Sequence, residues 1–216
     1  MKRLIMSLLT IGLFIQLAFA EEIMVSNITD SQMTISWVSD EPEIGLIKYG
    51  ETKTTQIAYD DRGSNTVSTI HHITLVGLSP QTTYCCQVIS GETVLKDLEI
   101  TTGVSLIPTG NDLVYGKVID AEGNALDNEA IVYLKLQDND NQGDGDESAL
   151  YSVLLNSGGY WYTNLVNFRT ADLTKSFKYS ARGDFLFIQV EGGQLGGKTL
   201  KINTKDDTPA PDVVLP

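Results

Sequence analysis

The sequence predicts an all-β protein: two β-sandwich domains in tandem behind a secretory leader. Two observations carry this fold class. Beyond residue 20 apolar and polar residues alternate in short runs, and no stretch shows a helical period. The runs form two sets, separated by a Gly- and Pro-containing segment without sustained alternation. The expected organisation is therefore a leader over residues 1–20, a first sandwich over 21–103, a linker over 104–110 and a second sandwich over 111–216. Each half is long enough to bury a core of its own.

The leader is read from Lys2 and Arg3, the apolar run from Leu4 to Phe19, and Ala18-Phe19-Ala20 ahead of Glu21-Glu22. This order is that of a signal peptide cleaved after Ala20. Thr10, Gly12 and Gln16 interrupt the run and argue against a membrane anchor. No later stretch reaches the roughly 18 apolar residues of a spanning helix. The mature chain is expected to be secreted, extracellular or periplasmic, without membrane insertion.

In the first set, Gln32 to Val38 is the clearest strand: Met33, Ile35 and Trp37 share one face, and Thr34 and Ser36 take the other. The further strands expected are Ile23 to Ile28, Ile44 to Tyr49, Thr54 to Tyr59, Val67 to Val76, Thr83 to Ile89 and Thr93 to Ile100. Leu78-Ser79-Pro80-Gln81-Thr82-Thr83-Tyr84 fits an LxPxTxY pattern. A Tyr at that point can bury its ring while its hydroxyl bonds to backbone at the preceding turn. With Trp37 on the second strand, this stretch resembles a fibronectin type III domain. Ser36 to Gly50, with Asp40-Glu41-Pro42 and Lys48-Tyr49-Gly50, is similar to the bacterial extracellular variety and to the N-terminal domain of purple acid phosphatases.

The second set opens with Leu113 to Asp120, turns at Ala121-Glu122-Gly123-Asn124, and continues with Ala130 to Leu136. Later strands are expected at Ala149 to Leu155, Tyr160 to Leu165, Asp184 to Val190, Lys198 to Asn203 and Asp212 to Leu215. Gly116-Lys117-Val118-Ile119-Asp120, Ala130-Ile131-Val132-Tyr133-Leu134 and Ser157-Gly158-Gly159-Tyr160-Trp161 together resemble a carboxypeptidase regulatory-like, transthyretin-like sandwich. Both resemblances are to modules that accompany catalytic domains, which implies no activity and no cofactor in this chain.

Composition narrows the partners. The formal charge is −13, and losing Lys2 and Arg3 with the leader makes the mature chain more acidic still. Nucleic acid and anionic membrane surfaces are disfavoured, since both are bound by Lys and Arg. A protein or a cell-surface polysaccharide is the expected partner; the oligomeric state is open.

Few residues are candidates for chemistry. His71 and His72 are the only histidines, and on a strand they face opposite ways, so no catalytic or metal site is expected from them. Cys85 and Cys86 are the only cysteines; Cys86 shares the core face of Tyr84 and Val88, whereas Cys85 faces outward and is a candidate for a disulfide between two chains. Asp138, Asp140, Asp144 and Asp146 alternate in a loop that resembles a calcium loop, although Ala149 stands where a bidentate Glu is wanted. Arg182-Gly183-Asp184 spells an integrin tripeptide, and Asn27-Ile28-Thr29 a glycosylation sequon. Tyr160, Trp161 and Tyr162 are candidates for partner binding: on a strand, either the Trp or the two Tyr must face away from the core. The function expected is a secreted, non-catalytic binding, adhesive or structural protein, or alternatively a polysaccharide-binding module or accessory subunit of a secreted hydrolase.

Overall fold

The computed structural model describes residues 22–216, so the expected leader and its cleavage site lie outside the described residues. Within them the chain is all-β, with two short 3-10 turns as its only helical elements. No helix among the described residues is long and apolar enough to cross a membrane.

Six strands build the first sandwich: β1 (Met24–Ser26), β2 (Gln32–Gly50), β3 (Gln56–Tyr59), β4 (Val67–Val76), β5 (Thr83–Ser90) and β6 (Thr93–Thr101). The sequence predicts two strands where β2 runs unbroken for 19 residues. Its first half pairs with β1 and β4, its second with β3 and β5, so one strand serves both layers. The change of layer falls between Val38 and Glu43, where the register with β4 shifts. Pro42, which has no N–H to donate, sits inside this bulge. Met33, Ile35, Trp37, Ile73, Leu75, Tyr84, Cys86 and Val88 fill the core with the expected parity. Tyr84 is buried, and its hydroxyl accepts the Ser79 N–H at 2.9 Å, as the turn motif requires.

Seven strands build the second sandwich: β7 (Leu113–Ile119), β8 (Ile131–Gln137), β9 (Tyr151–Leu154), β10 (Tyr160–Asn164), β11 (Phe185–Glu191), β12 (Gly197–Asn203) and β13 (Val213–Val214). One sheet has the order β10-β7-β13, the other β12-β11-β8-β9. Between them lie Val114, Val118, Val132, Leu134, Trp161, Leu186, Ile188 and Val190. Phe168 and Phe177, from the connection after β10, close one end of this core, with Phe168 stacked on Tyr151 at 4.9 Å.

Each core holds one fully buried Trp against a glycine. Trp161 lies opposite Gly116 on β7, and a Cβ at Gly116 would meet the indole at 2.8 Å. Trp37 likewise adjoins Gly45, and it stacks on His71 at 4.6 Å. The glycines are required by this close approach of ring to backbone.

The two sandwiches do not hang as separate beads. The outer face of β1-β2-β4 packs on the outer face of β8-β9 through Met24, Val38, Ile70, Ile131, Tyr133, Leu150 and Leu154. Thr34 and Ser36, the polar face of the most legible strand, are thereby fully buried. Replacing Gly116 by Ala should cost about 1–3 kcal/mol through overpacking against Trp161. Tyr162→Ala, on the opposite face of the same sheet, should stay within about 0.5 kcal/mol. Urea denaturation of the two variants checks the pair; equal effects would contradict the assigned strand parity.

Candidate functional site at the sandwich interface

The richest side-chain chemistry lies where the two sandwiches meet. On β4, His71 turns inward to Trp37 and His72 turns outward to the second sandwich, as alternation requires. His72 Nδ1 lies 2.7 Å from Asp61 Oδ2, and its Nε2 lies 2.9 Å from Ser152 Oγ on β9. Asp61 is held by the Thr74 N–H and hydroxyl, each at 2.9 Å. The order Asp61, His72, Ser152 is the connectivity of a nucleophilic triad.

Ser152 Oγ has further partners in the first sandwich. It lies 2.6 Å from Ser26 Oγ and accepts from Asn27 Nδ2 at 3.2 Å, so its hydrogen-bonding capacity is filled by the first sandwich. Ser152 and His72 are both buried, and among the described residues neither lines one of the principal cavities. A nucleophile needs an approach path and an oxyanion donor aimed at a substrate; here the same atoms join two sheets.

Asn27 organises the join. It has φ 54°, a conformation Asn tolerates better than most residues, and its side-chain amide pairs with Ser152 as a strand would. Asn27 Oδ1 accepts the Ser152 N–H at 2.8 Å, and Nδ2 donates to the Ser152 carbonyl at 2.9 Å. Asn27 thus covers the free edge of β9, and an N-linked glycan on the sequon is incompatible with this docking. The Ser36 and Tyr133 hydroxyls bond at 2.8 Å, with burial pushing the Tyr133 phenol up to about 12. Arg62 donates to the carbonyls of Ile70 and, at 3.0 Å, Asn128. Its partner Asp60 is driven up by burial but held below the usual carboxylate range overall by the Arg62 hydrogen bonds. At the far end of the interface, Arg169 from the second sandwich reaches the Val104 carbonyl at 2.6 Å and Asp30 at 3.2 Å.

The residues singled out from sequence are distributed differently. Asp144 and Asp146 do not join Asp138 and Asp140 around one point. Asp144 pairs with Lys175 and accepts the Lys178 N–H, whereas Asp184 converges with Asp138 and Asp140, their ligand atoms all within 4.8 Å. Asp184 is buried and accepts the N–H groups of Asn139 and Ser180, so the integrin tripeptide presents no free carboxylate. Trp161, named as a partner-binding aromatic, is fully buried, and it is Tyr160 and Tyr162 that face solvent. Cys85 is half-exposed and free, and Cys86 is buried and free. His71 lies wholly inside the core: burial lowers its pKa to about 4, Nε2 contacts Ser39 Oγ at 3.2 Å, and Nδ1 has no hydrogen-bond partner. Sequence reading missed Ser152, Asp61 and Ser26 as a group, because they lie far apart in the chain and carry no local motif.

The fold and its Tyr84 corner define the first sandwich as a fibronectin-III-like domain. Residues 21–102 match the family model described as purple acid phosphatase, N-terminal domain. Among solved structures, the FN1-FN3 domains of chicken CNTN1 are similar at 11% identity and a TM-score of 0.29, covering 90% of this chain and 67% of that one. No curated protein matches the chain.

Two outcomes follow from the interface and its histidines. A double-mutant cycle of Asn27→Ala and Ser152→Ala should show a coupling of about 0.5–3 kcal/mol in chemical denaturation; additivity would mean that the join does not form. Because the folded pKa of His71 lies below its ordinary 6.5, the unfolded chain binds a proton between about 6.5 and 4 that the folded chain does not. Stability should therefore fall as pH drops through that window. His71→Phe, which can still stack on Trp37 but cannot titrate, should flatten the dependence of Tm on pH relative to the parent.

Proposed function

We propose that the chain is a secreted, non-catalytic binding, adhesive or structural protein of an extracellular or cell-surface assembly, and that its two sandwiches work as one body. The observation that carries this reading is the interface. The residues with catalytic potential, His72 and Ser152, are buried in hydrogen bonds between the sandwiches. The leader-like N-terminus and the acidic composition support an extracellular location and a partner other than nucleic acid. The similarity of residues 21–102 to a domain named for its place at the N-terminus of purple acid phosphatases favours a second role, as accessory subunit of a secreted hydrolase.

Fractionation of the native host with N-terminal sequencing should find a chain beginning at Glu21 outside the cytoplasm. Affinity capture from the surface fraction should enrich one dominant component, protein or glycan, and Ser152→Ala should change no hydrolytic activity of the purified chain. A full-length cytosolic chain, or ester turnover abolished by Ser152→Ala, would overturn the proposal.

A further inference from the structure

The outer face of β10-β7-β13 is the chemical opposite of the interface. Val114, Gly116, Val118 and Trp161 point inward, so period two turns Tyr115, Lys117, Tyr160 and Tyr162 outward. Tyr162 stands directly opposite Tyr115, and Tyr160 opposite Lys117. The Lys117 Nζ lies 5.3 Å from the centre of the Tyr160 ring. Tyr115, Tyr160 and Tyr162 are 37%, 46% and 61% exposed, so their rings are open to a ligand. Strand spacing sets the three rings on a platform about 7 Å by 5 Å, with Leu113 and Val214 exposed on the same sheet.

Charge indicates what such a platform suits. From Ser148 to Phe168 the chain carries no charged residue, and the three strands of this sheet contain one cation, Lys117, and no carboxylate. An acidic partner, a second copy of this chain included, meets the repulsion of a molecule at −13. A basic partner finds no carboxylate on the three strands themselves, whose one charge is Lys117. Addition of a strand at the β10 edge is hindered as well: Asn156 already takes the Tyr160 N–H through its side chain and the Tyr160 carbonyl through its own N–H. The ligand that remains is uncharged, with flat apolar surfaces to cover the rings and hydroxyls to meet their polar rims.

We propose that this tyrosine face binds a neutral polysaccharide: sugar rings stack on Tyr115, Tyr160 and Tyr162, and sugar hydroxyls bond the phenol groups and Lys117 Nζ. The site rests on the reading of the chain as a binding protein and names the chemical class of its ligand. Because the inward neighbours of the tyrosines supply the core, the face can be stripped without unfolding the sheet.

The purified full chain is tested by affinity electrophoresis through soluble β-glucan, mannan and starch and by sedimentation with cellulose. Retention by at least one of them is expected. It should weaken at least about tenfold in Tyr160→Ala/Tyr162→Ala while Tm stays within about 2 °C of the parent, and it should not respond to added salt. Lack of retention on all four polymers, retention unchanged in the double variant, or retention abolished by salt would each overturn the site. So would a concentration-dependent dimer that the double variant loses, since a second copy would then occupy the face. Failure here leaves the capture of a surface partner standing, whereas failure of that capture together with esterase activity would sink the broader reading.

Discussion

A buried polar sheet face holds this structure together. Removing hydroxyls, an amide and an imidazole from water costs on the order of 1–3 kcal/mol for each group left unpaired. That face could be covered only by a surface that answered each group in place. The second sandwich does so at Ser152 and Tyr133, and the first replies with Ser26, Asn27, Ser36 and His72. Apolar contacts around Ile70, Ile131 and Leu154 supply non-directional attraction, while the polar bonds select one register of sheet on sheet.

The same constraint explains why a triad-like arrangement need not imply catalysis. Carboxylate, imidazole and hydroxyl in sequence form a chain of good hydrogen bonds, and a buried interface benefits from such a chain as much as a reaction centre does. What separates the two cases is the state of the last atom. Ser152 Oγ meets Ser26 and Asn27 rather than an open cleft. On the reading proposed above, function belongs to surfaces that remain outward once both sandwiches are packed, and the face of β7 and β10 gathers three exposed tyrosines, Tyr115, Tyr160 and Tyr162.

Much of the architecture was legible because strands announce themselves by period two. Met33, Ile35 and Trp37, the Tyr84 corner, and the split between Cys85 and Cys86 are decided by neighbours a few residues away. Continuity of β2 was not legible, since the alternation breaks off after Val38 and resumes at Ile44, and the residues between form a bulge within one strand. The candidate sites fared less well. Alternation presented a choice between Trp161 and its two Tyr neighbours, and only the presence of Gly116 opposite the indole resolved it. The acidic loop likewise suggested four aspartates in series, yet one ligand atom of the compact group comes from Asp184, on the far side of the second sandwich's sequence.

By itself the sequence determined the fold class, most of the strands and of the two cores, and the acidic character of the chain, because each depends on local period and composition. Tertiary structure alone decided that Thr34 and Ser36 are buried, that Asn27 covers an edge rather than presenting itself for a glycan, and that His72 meets Ser152. Period two distinguishes the two faces of a strand, but it cannot say whether the polar face meets water or another sheet. That outcome depends on donors and acceptors more than a hundred residues apart coming into register, and no local pattern encodes it.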